Sequence, residues 1–177
     1  MKIIYADGSS LGNPGKAGMG VVALDTERKK VWEYGENLGR KTNNQAELSA
    51  CIFLLQLILK SGNKEKKEMD KIGKTHQTEQ KFEVRLDSQY VIKGATIWSK
   101  GWVKNGWMNS QKKPVENKEL WEQIVYLKEE CEALGIKILW SHVYGHTGEI
   151  WNERVDEIAR SFASEKEPVL RKGEKYV

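Results

Sequence analysis

Hydrophobic and polar residues follow two different periods along the chain. In the first 40 residues, β-branched and aromatic residues fall in short runs separated by polar turns, which predicts strands at residues 2–7, 19–25 and 31–38. Because the connections between these runs are short and polar, we expect an antiparallel meander. From Leu48 onward apolar residues recur at helical spacing, which predicts a helix that starts at Thr42 or Asn43 and ends at Gly62.

The second half of the chain alternates between strand and helical patterns. Strands are predicted at residues 82–87 and 136–143, and helical segments at 88–104, 117–134 and 150–164. Since the fourth strand follows a crossover helix, it should run parallel to the first. The fold class is therefore α/β, with a mixed five-stranded sheet of three antiparallel and two parallel strands flanked by helices.

Two polar segments interrupt or follow this pattern. Residues 63–81 are almost entirely polar, and we interpret them as a solvated insertion without a catalytic role, either an extension of the helix or a flexible loop. Residues 164–177 form a charged C-terminal tail, and the pattern leaves open whether it docks. The domain itself is expected to span residues 1–163.

Composition excludes some classes of protein. The chain has 177 residues, a formal net charge of +4 and 39% hydrophobic residues. No apolar run approaches the roughly 20 residues that a membrane span requires, so an integral membrane protein is excluded. No apolar signal segment opens the chain, and Cys51 and Cys131 lie in apolar helical patterns, so we expect two buried thiols in a cytoplasmic protein.

Acidic residues stand at four places where α/β sheets build sites. Asp7 and Asp87 end two strands predicted to be parallel neighbours, Glu47 lies in the first turns of the crossover helix, and Asp156 lies on the last helix. Taken singly, each could be an ordinary turn or helix-surface acid. Together they would repel one another by roughly 4 kcal/mol per close pair, and would need protons or cations. Oxygen ligands without a Cys or His cluster favour Mg²⁺ or Mn²⁺ and phosphoryl chemistry.

Positive charge is concentrated in a basic protrusion at residues 98–114. This segment contains no acid and four lysines, which we expect to contact phosphates. They are Lys100, Lys104, Lys112 and Lys113. Three tryptophans are interleaved with them: Trp98, Trp102 and Trp107. These rings could stack on single-stranded bases, but we favour a small aromatic core that supports the protrusion.

Five motifs in order resemble type 1 ribonuclease H. They are YADGSSLGNPG at residues 5–15, TNNQAEL at 42–48, LDSQYV at 86–91, VYGHTG at 143–148 and NERVDE at 152–157. The resemblance implies a ribonuclease H fold and an endonuclease that hydrolyses the RNA strand of RNA–DNA hybrids. In this family two metal ions, Mg²⁺ with Mn²⁺ as a substitute, support cleavage that leaves 5′-phosphate and 3′-hydroxyl ends.

The resemblance also assigns site residues. The metal-binding and catalytic tetrad falls on Asp7, Glu47, Asp87 and Asp156. His146 matches a loop histidine that assists proton transfer or product departure, whereas His76 and His142 match no family position and are interpreted as solvated and structural. Family positions that read the minor groove fall on Ser10, Asn13, Asn43, Asn44, Gln45 and Gln89. A DNA-phosphate pocket falls on Arg40, Thr42 and Asn117.

Some of these assignments have alternatives. Asn13 and Asn43 also suit turn and cap chemistry, and Gln45 stands where many bacterial members carry Arg. Two other functions remain open: a hybrid-binding module without catalysis, and a fold relative that cuts DNA. The basic protrusion and the starting Met favour a free-standing cellular enzyme, which we expect to be monomeric.

Overall fold

The computed structural model describes residues 2–71, 80–145 and 148–176. Its central sheet has the order β5-β4-β1-β2-β3-β6. The strands are β1 (Lys2–Gly12), β2 (Gly15–Asp25), β3 (Lys30–Lys41), β4 (Gln80–Leu86), β5 (Ile136–His142) and β6 (Lys172–Lys175). Strands β1, β4 and β5 run parallel to one another, and the remaining pairs are antiparallel. The five predicted strands are confirmed, and β6 is an additional strand that was not predicted. The prediction that Asp7 ends the first strand is wrong, because β1 continues to Gly12 in its ladder with β2.

Helices cover both faces of the sheet. They are α1 (Asn43–Lys71), α2 (Gln89–Lys93), a π-helical turn (Gly94–Trp98), α3 (Ser99–Lys104), α4 (Lys118–Ala133) and α5 (Ile150–Ala163). Because side chains alternate along a strand, Ile4 of β1 packs with α1 and α4, whereas its neighbour Tyr5 packs with α5. Cys51 and Cys131 are both buried on the α1 side, as expected of structural thiols. No helix within the described ranges is long and apolar enough to cross a membrane.

Helix α1 continues through Gly62, so the prediction that it ends there is wrong. A Cβ atom at Gly62 would lie 2.4 Å from Cδ1 of Ile136 on β5. Gly62 therefore stands inside α1, where the helix packs against the Ile136 side chain, and not at a C-cap. The helical extension was one of the two interpretations of the insertion, and it holds for residues 63–71. Residues 72–79, including His76, lie outside the described residues.

The C-terminal tail docks on the sheet through a buried carboxylate. Glu33 of β3 is fully buried, and the Arg154 guanidinium donates to both of its oxygens, at 3.0 and 2.8 Å. The backbone N–H of Arg171 donates to the same carboxylate at 3.0 Å, and Arg154 also donates to the Val169 carbonyl at 2.8 Å. Burial alone would raise the pKa of Glu33, but these partners outweigh it, and the pKa is lowered. One ion pair thus joins β3, α5 and the tail.

Replacing Arg154 by Met should leave Glu33 buried without its main counter-charge. We expect Arg154→Met to lower the free energy of unfolding by about 3–5 kcal/mol, measured by urea denaturation. The double variant Glu33→Met/Arg154→Met should regain much of that loss, because no buried charge remains. Arg28→Met is the control, since its pair with Asp25 at 3.9 Å involves a largely exposed side chain. A single variant as stable as the control would contradict this role of the pair.

Candidate active site

Three carboxylates meet at one edge of the sheet. Oxygen atoms of Asp7, Glu47 and Asp87 all lie within 4.8 Å of one another. The parallel register of β1 and β4 pairs Tyr5 with Arg85, each two residues before an aspartate of the cluster, so both aspartates emerge at the same edge. The pairing of two strands that are distant in sequence thus creates half of the site.

Glu47 enters the cluster because α1 packs unusually close to β1. A Cβ atom on Gly8 would lie 2.1 Å from the carbonyl carbon of Ala46 and 2.2 Å from the backbone nitrogen of Glu47. Only glycine leaves room for this contact. The glycine that follows Asp7 therefore sets the distance between the strand and helix that carry two of the acids.

The cluster is electrostatically unfavourable without a cation. Burial, together with the charges of Asp87 and Asp156, raises the pKa of Asp7 to about 8. Burial and the charges of Asp7 and Asp87 raise the pKa of Glu47 to about 9. The pKa of Asp87 is also raised, mainly by burial. A partly buried set of oxygen ligands whose ionised forms repel one another fits a hard divalent cation.

Asp156 lies beside this cluster rather than within it. It extends from α5, and its charge raises the pKa of both Asp7 and Asp87. Its carboxylate, however, pairs with Arg160 one turn further along the helix. Among the described residues, the 4.8 Å group contains three of the four predicted acids and not Asp156.

Of the three histidines, only His142 lies among the described residues. His146, the predicted loop histidine, lies outside the described residues. His142 ends β5, and its Nε2 lies 3.1 Å from the carbonyl oxygen of Asp87. Its ring packs edge-on against Tyr144 at 5.0 Å. His142 therefore contacts the backbone of a site acid, which fits the structural role predicted for it.

A polar clamp beneath the acids was not predicted. The Tyr5 hydroxyl donates to Glu149 at 2.7 Å and accepts a hydrogen bond from Arg85 at 2.7 Å. Tyr5 and Arg85 lie on the sheet face that α5 covers, and Glu149 directly precedes α5. The clamp therefore fixes the start of the helix that carries Asp156. The one sequence signal is an arginine inside a buried strand, which requires partners.

Asn152 is a second residue that the predicted site lacked. It is buried on the first turn of α5, and its side chain hydrogen-bonds to Asp87. This contact opposes the effect of burial on the pKa of Asp87. The residue lies in the NERVDE motif, so the motif carried a signal for it.

Several predicted substrate residues shape the start of α1. Thr42 and Gln45 form a reciprocal cap, with N–H to side-chain oxygen distances of 2.9 and 3.2 Å. Asn13 accepts a hydrogen bond from the backbone N–H of Asn43 at 3.1 Å, and Ser10 donates to the Lys41 carbonyl at 2.9 Å. Cap and turn chemistry is thus present at these positions. The other predicted groove and pocket residues lie at the surface or at the start of a helix: Arg40, Asn44, Gln89 and Asn117.

The basic protrusion rests on an aromatic core, as favoured from the sequence. Trp102 packs against Trp98, Trp107 and Trp121, with centroid distances of 5.9, 6.5 and 5.3 Å. Trp121 is fully buried on α4, so the rings anchor the protrusion to the domain. The four lysines are all exposed.

Comparisons with known proteins agree on one family. A family model described as RNase H matches residues 1–164. A ribonuclease H from Cyanothece is 36% identical over 168 residues, covering 95% of this chain and 92% of its own length. One from Aeromonas salmonicida is 39% identical, covering 93% and 90%. The crystal structure of LC11-RNase H1 in complex with an RNA/DNA hybrid has a TM-score of 0.65 and 27% identity, covering 93% and 98%.

Neutralising Asp7 should stabilise the metal-free protein at alkaline pH. An acid with a raised pKa destabilises the fold progressively as pH rises from its unfolded value of about 4 through the folded value, here about 8. In chelator at about pH 8, we expect Asp7→Asn to be more stable than wild type by roughly 1–3 kcal/mol. The measurement is urea denaturation between about pH 5 and pH 9.

The difference in the free energy of unfolding between Asp7→Asn and wild type should shrink towards low pH, where Asp7 is protonated in the native protein. Added Mg²⁺ should stabilise wild type more than the variant. Glu36→Gln, at an exposed position, is the control. If the stability difference stays constant with pH, the ionised Asp7 carboxylate does not cause it.

Proposed function

The chain belongs to the ribonuclease H family as a type 1 ribonuclease H, and we propose that it cleaves the RNA strand of RNA–DNA hybrids by two-metal-ion catalysis. The observation that carries this proposal is the convergence of Asp7, Glu47 and Asp87 within 4.8 Å at the sheet edge. The products would carry 5′-phosphate and 3′-hydroxyl ends. The relative LC11-RNase H1, described in complex with an RNA/DNA hybrid, supports the substrate class.

The same acids are proposed as the ligands of the metal ions. Asp7, Glu47 and Asp87 supply the buried oxygens, and Asp156 is the fourth ligand from the neighbouring helix. We propose two Mg²⁺ ions, with Mn²⁺ as a substitute. When bound, such ions activate a water molecule and stabilise the leaving oxygen. The raised pKa values of the acids support this role, because a cation would stabilise the ionised carboxylates that burial and mutual repulsion disfavour.

The remaining side chains are proposed to position the hybrid. Groups around the start of α1 and α2 would read 2′-hydroxyls, which distinguish RNA from DNA. These groups are Ser10, Asn13, Asn43, Asn44, Gln45 and Gln89. The set Arg40, Thr42 and Asn117 would hold a DNA phosphate, and the lysines of the basic protrusion would contact the phosphate backbone. His146 is proposed to assist proton transfer or product departure.

We further propose that the enzyme acts as a cytoplasmic monomer with the hybrid as its partner and no membrane association. The two buried cysteines suit a reducing compartment.

Replacing Asp87 by Asn should abolish cleavage. Loss of one ligand should cost more than the roughly 100-fold that follows loss of an outer-shell partner. The assay is cleavage of a labelled hybrid with Mg²⁺ or Mn²⁺, with DNA and RNA duplexes of the same sequence in parallel. Asp25→Asn, which changes a turn aspartate, is the control. An active Asp87→Asn variant would refute the assignment, and cleavage of the DNA duplex would favour a DNA-cutting relative. Tight hybrid binding by wild type without cleavage would favour a binding module.

Removing the protrusion lysines should weaken hybrid binding and its dependence on salt. Each lost phosphate contact lowers the slope of log K against log salt by about 0.9 on duplex DNA, and a hybrid should behave similarly. The test compares the variant with all four protrusion lysines changed to Ala against a Lys66→Ala/Lys166→Ala control at exposed sites elsewhere. An unchanged slope would mean that these lysines do not touch phosphate.

A further inference from the structure

The far end of α1 carries a second basic surface, remote from the acids. Lys64 lies 17 residues after Glu47 on the same helix, which places it about 26 Å away along the axis at 1.5 Å per residue. Two open cavities adjoin here, of about 590 and 410 Å³, and both are lined by Lys60 and Lys64. We call this pair of cavities, which share Lys60 and Lys64, the distal groove.

The lining of the distal groove is strongly positive. Its cations are Lys2, Arg28, Lys60, Lys64 and Lys67. Among the described residues that line the groove, Asp25 is the one carboxylate, and it accepts hydrogen bonds from the backbone of its own turn. Lys2 is paired with Glu65, and Arg28 lies 3.9 Å from Asp25, so the positive charge of the groove rests mainly on Lys60, Lys64 and Lys67. Such a surface suits a polyanion.

Three of these lysines form a row. Lys60, Lys64 and Lys67 are spaced four and three residues apart, so they share one face of α1 and are all exposed. Their spacing along the axis is about 6 and 4.5 Å at 1.5 Å per residue. A row of cations at this spacing can follow successive phosphates of one strand. Lys66, between them in sequence, points to another side of the helix and lines neither cavity.

The second wall of the distal groove is aromatic. The smaller cavity is lined by Trp32, Tyr34 and Phe82 beside Lys60 and Lys64. Phe82 is buried beneath Lys2, and Lys172 lies over the Tyr34 ring at 5.5 Å, so the half-buried Trp32 is the ring left to meet a base. Aromatic faces next to lysines are the combination that binds unpaired bases, since a base within a duplex has both faces covered by its neighbours.

We propose that the distal groove binds single-stranded nucleic acid, with phosphates on the lysine row and a base against the aromatic wall. This site goes beyond the proposed hydrolysis, because it lies about 26 Å from Glu47 and includes none of the acids. A strand that continues beyond the hybrid can occupy it while the hybrid lies at the sheet edge. The groove would then favour hybrids with single-stranded extensions over blunt ones.

Binding is tested with a fluorescent single-stranded DNA of about 12 nucleotides, within the site sizes of known single-strand grooves. Fluorescence anisotropy is measured in the background that lacks the four protrusion lysines, so that the remaining affinity reports on the groove. We expect Lys60→Gln/Lys64→Gln/Lys67→Gln to weaken binding about tenfold or more. The salt slope should fall by about 2, at roughly 0.7 per contact on single strands. An unchanged affinity or slope would overturn the proposal.

A matched pair separates the groove from general positive charge. Lys64→Gln and Lys66→Gln remove the same charge from the same helix two residues apart, and both positions are exposed. We expect a loss of affinity for the first variant alone, and equal losses would overturn the proposal. An abasic oligonucleotide should bind about fivefold more weakly or worse if a base stacks in the cavity. Equal binding of the abasic strand would overturn the aromatic part.

Cleavage assays distinguish this site from the catalytic one. The triple Gln variant should cleave a blunt hybrid like wild type, but show a raised KM for a hybrid with a single-stranded extension. An unchanged KM for the extended hybrid would overturn the proposed use of the groove during catalysis. RNA in place of DNA, with Asp87→Asn to prevent cleavage, shows which strand is preferred. The DNA binding test does not depend on hydrolysis, so it stands even if the proposed cleavage fails.

Discussion

Repulsion between buried carboxylates is the constraint on which the rest of the structure depends. Asp7, Glu47 and Asp87 are held within 4.8 Å of one another although each raises the free energy of the others when ionised. Such an arrangement persists only where the surrounding scaffold fixes it. Parallel pairing of β1 and β4 provides the first part of that scaffold, and the close approach of α1 at Gly8 provides the second. The strand–helix framework is therefore what keeps three unfavourable charges ready for cations.

The same fold handles another buried acid in the opposite way. Glu33 lies in the sheet with no exposure, but Arg154 and the backbone of Arg171 satisfy its oxygens and lower its pKa. Glu33 and the acidic cluster both lie beside α5. This helix carries Arg154, the partner of Glu33, and two residues later Asp156. The paired carboxylate of Glu33 stabilises the position of α5. Among the described residues, the acidic cluster beside it has no such counter-charge, so it remains able to bind a cation. The clamp of Tyr5, Arg85 and Glu149 holds the start of that helix in the same manner.

The parts of the structure that follow from local pattern were predictable. Alternating apolar runs predicted the five main strands. Asp87 follows β4 as expected, whereas Asp7 lies within β1, and the two acids meet because the parallel ladder of β1 and β4 ends just before both of them. Features set by distant contacts were not predictable. β6 has the polar sequence KGEK and pairs through its backbone, and Gly62 lies where α1 packs against Ile136 of β5. Neither feature has a periodic signature, because each depends on what another element brings near. The pair of Asp156 and Arg160 lies within α5 at i,i+4 spacing, so the sequence carried a signal for it.

The net charge of +4 also conceals an ordered distribution. Acids gather where the parallel ladder of β1 and β4 ends, while lysines gather on the protrusion and, about 26 Å along α1, in the distal groove. A nucleic acid is attracted by the two basic surfaces and repelled by the uncompensated acids between them. Under the proposed function, cations bound at the acidic edge would reverse that repulsion locally, so their binding and the approach of the substrate would be coupled through the same charges. Screening by salt should weaken the exposed lysine surfaces more than the buried cluster, because buried charges are screened less.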